Sequence, residues 1–202
     1  MNAAVPLAGA GAGRIGPNAV IRLAEALEAQ VGARRTHEIF RAAGQAQFLA
    51  ARPESMVDER AVTALYASLR STLVPADAAD AARRAGELTG DYLLAHRIPG
   101  AVRGLLTMLP ARLAAPLLVS AIRRNAWTFA GSGSFAATGR PLRLSITGCP
   151  VCRGATSPHC VCDYYAATFE RLFAALVSPR CRVRETACEA TGASACVFDV
   201  KW

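Results

Sequence analysis

"DYYAATFERLFAALVSPRCRVRETACEATGASACVFDV", residues 163–200, contains two periodicities side by side. Over its first half, Tyr165, Phe169, Leu172 and Leu176 recur along one face at helical spacing. Its second half loses that spacing and reads as a β-hairpin turning near "ATGA", residues 190–193. Just upstream, "RPLRLSIT" (140–147) alternates Leu142, Leu144 and Ile146 with Arg143 and Ser145, the period of a half-buried strand. "WTFAGSGSFAATG" (127–139) reads as a strand before it, joined through a Gly-containing turn. Residues 127–202 are therefore expected to run strand, strand, helix, strand, strand.

The chain before this region is helical in pattern. "PNAVIRLAEALEAQVG" opens on Pro17, carries Val20, Leu23, Leu27 and Val31 as a stripe, and stops at Gly32. "RTHEIFRAAG" follows and ends near Gly44. In "MVDERAVTALYASLRSTL", Asp58 is the expected cap, with Val62, Leu65, Leu69 and Leu73 on one side. A long alanine-rich helix begins after Pro75, and "IPGAVRGLLTMLP" and "ARLAAPLLVSAIRRNAWTF" complete the helical part. The fold class expected is α+β, a helical layer over residues 17–126 packed on an antiparallel sheet from 127–202, the two forming one compact domain. Residues 1–16, with "GAGAGR" at 9–14, read as a flexible small-residue arm, since no strand precedes the glycines and neither phosphate-loop spacing is met.

Composition narrows the function classes. The 202 residues are 52% hydrophobic and 19% charged, which suits a globular domain with a sizeable core. A net charge of +8 favours an anionic partner, but the arginines are dispersed and no nucleic-acid-binding signature is present, so nucleic acid is not expected. No run reaches the roughly 18–20 apolar residues of a membrane span, and no secretory signal pattern opens the chain. A cytoplasmic protein is expected, and there clustered cysteines bind metal more often than they form disulfides.

Seven cysteines carry the most chemistry. A hairpin centred on Gly192 places Cys188 opposite Cys196, close enough for two thiolates to share a tetrahedral metal. Glu185 lies on the wrong strand parity to join them unless a bulge falls at "TAC", residues 186–188. A third thiolate must come from "GCPVCRGATSPHCVC" (148–162). Cys162 is attractive because it opens a helix, whose N-terminus stabilises the thiolate. Counting alone does not choose it over Cys149, Cys152 or Cys160, and zinc, an iron–sulfur centre, a redox-active "CPVC" and inert thiols all stay open.

A second constellation is aromatic. Trp127, Phe129 and Phe135 surround "GSG", either as edge-strand core or as the wall of a flat apolar pocket beneath the alanine-rich helices. Arg97, Arg123 and Arg124 would then meet ligand carboxylates at its rim, and His96 or His37 would ligate a metallated ring.

"DYLLAHRIPG", "LLTMLPARLAAPLLVSAIRRNAWTFAGSGSF", "CDYYAATFERLF" and "CEATGASACVF" together resemble the 4-vinyl (8-vinyl) reductase family of bacteriochlorophyll biosynthesis, from about Gly13 onward. The resemblance implies a vinyl-4-reductase domain, a small-molecule-binding module, and a ligand-binding fold akin to nitric-oxide-signalling and Golgi-transport proteins. It also implies a structural zinc, held here by Cys162, Glu185, Cys188 and Cys196, with Cys149, Cys152 and Cys160 as additions that the family motif does not require. The implied ligand is a tetrapyrrole intermediate, a magnesium porphyrin or divinyl protochlorophyllide, carried or presented to pathway enzymes near photosynthetic membranes. Divinyl (proto)chlorophyllide 8-vinyl reduction is the alternative; no nicotinamide or flavin motif is visible, so enzymatic activity stays open. A third class is an assembly factor for an enzyme such as magnesium chelatase. Peripheral membrane contact and a homodimer are compatible with all three.

Overall fold

The computed structural model describes residues 13–202. Most of the arm expected over 1–16 lies outside them. Its last residues are anchored: β1 (Arg14–Ile15) pairs antiparallel with β2 (Val57–Asp58), and Ile15 is buried.

α1 (Asn18–Ala42) fuses the first two expected helices, with a break inside it at Gly32. There φ is 78°, a left-handed value that glycine adopts without a Cβ clash. Gly44, at φ 69°, ends the second half. After a short turn of helix, α2 (Gln47–Ala50), Asp58 caps α3 (Glu59–Thr72) as expected, its carboxylate accepting from the Arg60 amide. α4 (Pro75–His96) opens on its proline and turns alanines and glycines inward. α5 (Gly100–Met108) and α6 (Ala111–Arg124) follow as an exposed pair.

One expected strand is corrected. Trp127–Ala130 is not extended but forms a helical turn, α7, and β3 (Ser134–Thr138) starts only after "GSG". The Ala130 amide bonds to the Ala126 carbonyl, and the Thr128 hydroxyl bonds to that of Asn125, which closes the turn. Gly131 (φ 61°) then redirects the chain, and a Cβ on Gly133 would lie 2.3 Å from the Thr147 carbonyl oxygen. Local turn bonding thus outweighs the β-propensity of "WTF".

The remaining order is as expected: β4 (Leu142–Thr147), α8 (Asp163–Leu176), β5 (Arg182–Ala187) and β6 (Cys196–Lys201). The four long strands form one antiparallel sheet in the order β3-β4-β6-β5. The β5–β6 register slips between Glu185 and Ala187, the bulge that the metal reading required. The protein is therefore α+β, with a helical layer on an antiparallel sheet and a second, two-stranded sheet beside it.

α8 lies at the centre. Tyr165 and Phe169 pack toward the sheet, with Phe169 and Phe198 edge to face at 5.5 Å. Tyr164 and Thr168 meet α4 instead: the Thr89 hydroxyl bonds to the Tyr164 hydroxyl at 3.1 Å, and Thr168 bonds to the Gly86 carbonyl at 3.1 Å. A Cβ on Gly86 would lie 2.2 Å from the Tyr164 carbonyl oxygen, so only glycine permits this approach.

Candidate metal centre

Five cysteines from four separate segments converge at the N-terminal end of α8. Cys149 and Cys152 sit in the turn after β4, Cys162 caps α8, Cys188 follows β5, and Cys196 begins β6. All five are at most 1% exposed. Their sulfurs form a connected set: Cys149–Cys162 3.5 Å, Cys162–Cys196 3.5 Å, Cys152–Cys196 3.4 Å, Cys188–Cys196 3.8 Å and Cys162–Cys188 3.9 Å. A disulfide brings sulfurs to about 2.05 Å, far inside these separations. A tetrahedral zinc with bonds near 2.3 Å sets its sulfurs about 3.8 Å apart. The observed spacings match that tetrahedral edge.

Two overlapping donor sets result, each with ligand atoms within 4.8 Å of one another: Cys149, Cys152, Cys162 and Cys196; and Cys162, Glu185, Cys188 and Cys196. The bulge in β5 brings Glu185 into the second set. One Glu185 oxygen accepts from the Cys162 amide at 2.8 Å. The other, Oε1, is buried without a partner. Burial, with the Cys188 thiolate adding to it, pushes the Glu185 carboxyl up to about 9 against the pull of the Cys162 amide. A buried carboxylate oxygen aimed at three thiols is what a cation would satisfy, so the donor set fits a metal.

The turn carrying "CPVC" is held from several sides. The Glu189 carboxylate, at the hairpin tip, accepts from the amides of Gly148 (2.6 Å) and Cys149 (2.8 Å). The Thr63 hydroxyl bonds to the Pro150 carbonyl at 2.7 Å, and Arg70 bonds to that of Val151 at 3.0 Å. Arg153 reaches the buried Glu59, which also accepts from the Ser132 hydroxyl and amide. Burial pushes the Glu59 carboxyl up, but Arg153 and Ser132 outweigh it and hold it below the usual range.

Cys160 is only partly buried and stays outside both sets, its thiol pushed up to about 11 by burial. Cys181 is buried but likewise apart. The part played by Cys149 and Cys152 was not separable in the sequence from that of Cys160. "CPVC" has the spacing of half a zinc site, yet only the fold shows the turn closing on Cys162 and Cys196.

The aromatic constellation is less unified. Phe129 and Phe135 meet edge to face at 5.5 Å and both pack on Phe169, as part of the core rather than as a pocket wall. Trp127 is 63% exposed and lines a separate cleft of about 510 Å³ with Arg14, Ser55, Met56 and Gly131. Arg97, Arg123 and Arg124 are exposed, and Arg123 bonds to the Ala137 carbonyl. His96 stacks on Tyr92, one turn back on α4. His37 is exposed on α1. A larger cleft of about 590 Å³ opens between α4, α5 and α8, lined by Leu94, Ala95, Arg103, Thr107, Arg171 and Leu176 among others. It lies next to His96 and Arg97 in sequence but not beside Phe129 or Phe135.

Residues 142–202, from β4 onward, match the vinyl-4-reductase domain, and that span contains all six donors. Over 189 residues the chain is 46% identical to the bacteriochlorophyll synthase 23 kDa chain of Cereibacter sphaeroides, covering 93% of this chain and 90% of the relative. It belongs to that family. The Rhodobacter capsulatus protein of the same description is 37% identical over 191 residues, 92% of this chain and 85% of its own. The resemblance read from the sequence motifs is thereby supported along nearly the whole chain. Among the described residues, no helix is long and apolar enough to cross a membrane.

Proposed function

We propose that this protein binds a tetrapyrrole intermediate of bacteriochlorophyll biosynthesis and carries or presents it to pathway enzymes, while the cysteine–glutamate cluster holds a structural zinc. The observation that carries the reading is the close relationship, over nearly full length, to two bacteriochlorophyll synthase 23 kDa chains. A fold akin to nitric-oxide-signalling and Golgi-transport ligand-binding proteins is part of the same proposal.

The cleft between α4, α5 and α8 is the proposed ligand site. Its volume falls within the range of about 300–1,000 Å³ common to small-molecule sites. Around it α5 and α6 leave Val102, Leu105, Met108, Leu113 and Leu117 exposed, with Met108 at 85%. That much uncovered apolar surface on two adjacent helices suits a flat hydrophobic ring or a membrane-associated pigment. Arg103 lines the cleft and has no carboxylate within ion-pair distance among the described residues, leaving it available for a propionate. His96 and Arg97 stand at the neighbouring end of α4. Zinc in a site of thiolates and a carboxylate, with every position taken by protein, is structural rather than catalytic.

Titration of the full chain with magnesium protoporphyrin, followed by pigment absorbance and tryptophan fluorescence, tests the ligand. Saturable binding is expected, weakened about tenfold or more in Arg103→Ala. An unchanged spectrum with no saturable quenching would sink the ligand reading. Conversion of a divinyl pigment in the presence of a nicotinamide, flavin or ferredoxin donor would establish the reductase alternative instead.

A further inference from the structure

The two donor sets are not rivals for one ion. Each contains four ligands, and they share Cys162 and Cys196, which lie 3.5 Å apart. We propose that the centre holds two divalent metal ions bridged by the Cys162 and Cys196 thiolates. Cys149 and Cys152 complete one tetrahedron, and Cys188 and Glu185 complete the other. This extends the single structural zinc proposed above and rests on that reading.

Three observations favour the pair. A single ion in the four-cysteine set leaves the Glu185 Oε1 buried and unsatisfied, as it now stands. A single ion in the set containing Glu185 leaves Cys149 and Cys152 as buried thiols 3.5 and 3.4 Å from ligand sulfurs, their turn held in place for no ligand. Two ions engage all six donors at once, each four-coordinate.

The geometry and charge are consistent. With metal–sulfur bonds of about 2.3 Å, a shared edge of the observed length sets the ions about 3 Å apart, and the bridging thiolates screen their repulsion. Five thiolates and one carboxylate around two divalent ions leave a net charge near −2, against about −4 for one ion with all donors ionised. The Glu189 amide directed at the Cys196 sulfur (3.5 Å) and the α8 N-terminus at Cys162 stabilise the remaining negative charge.

Metal content of the untagged full chain, purified without chelator, provides the first test. Two zinc ions per chain are expected, falling to one when Cys149→Ser and Cys152→Ser are combined. The wild-type chain loaded with cadmium-113 provides a second readout that does not depend on a variant folding. Two cadmium resonances split by mutual coupling are expected, because the nuclei share bridging sulfurs. One zinc per chain that the double substitution leaves in place overturns the pair while the single-ion site stands. No zinc overturns both. Two cadmium signals without coupling overturn the shared thiolates, and acid-labile sulfide accompanying iron overturns them too, since inorganic sulfide would then be the bridge.

Discussion

At the residue scale, neighbouring cysteines have very different surroundings. Cys160 and Cys162 are two positions apart, yet one is half-buried in a loop and the other is shared by both donor sets. Cys162→Ser is expected to abolish stoichiometric zinc and lower Tm, whereas Cys160→Ser keeps both, as metal analysis and thermal unfolding would reveal. Glu59 offers a separate contrast. Its carboxylate is buried and paired with Arg153, so Arg153→Met leaves a lone charge and is expected to cost about 1–3 kcal/mol in urea unfolding at pH 7. The folded-state pKa of Glu59 lies below its ordinary 4.5. The pair therefore stabilises above that value and its contribution is lost as pH falls through the folded pKa. The stability gap between the variant and the wild type should accordingly narrow below about pH 4. None of this pairing was legible in the sequence, because Glu59 and Arg153 are separated by most of the helical layer.

At the element scale, the contact between α4 and α8 depends on missing side chains. The alanine-rich pattern of α4 signalled close packing, and the structure locates the tightest point at Gly86 and Gly90. Gly86→Ala pushes a methyl onto the α8 backbone and is expected to destabilise by about 1–3 kcal/mol. Gly104, on α5, has open space around its Cβ position, so Gly104→Ala should be neutral or up to about 1 kcal/mol stabilising. Denaturant midpoints of the two variants would separate a packing effect from helix propensity. The helices and the final hairpin were readable from periodicity because their apolar faces repeat within a few residues. The strand expected at Trp127 failed because its fate depends on turn bonds and two glycines that periodicity ignores. The β1–β2 pair escaped notice because two-residue strands have no period. The bulge in β5 was deduced from chemistry rather than pattern: Glu185 could join Cys188 only if the register slipped there, and it does.

At the scale of the whole molecule, one buried cluster joins the β4 turn, the start of α8 and both strands of the hairpin. Stripping the metal should therefore loosen the sheet and α8 together. Chelation under native conditions is expected to lower Tm by at least about 5 °C, the shift that roughly 2 kcal/mol produces in a chain of this size. Hydrogen exchange should quicken in β5, β6 and the first turn of α8, and much less in α1 and α3. Family membership was legible in the sequence, since it resides in contiguous motifs. The position of a ligand cleft was not. The aromatic residues that suggested one are divided between the core and an outlying cleft, and the more open apolar surface lies on α5 and α6.

The sharing of Cys196 by both donor sets has a consequence for synthesis. As the chain grows, Cys149, Cys152, Cys162 and Cys188 are all made before Cys196. Neither four-ligand shell can close until that last thiol exists and β6 has paired between β4 and β5. A product aborted anywhere short of Cys196 has a nearly full complement of thiols but no complete cage, and with it an exposed, oxidisable surface. Metal occupancy therefore distinguishes finished chains from unfinished ones.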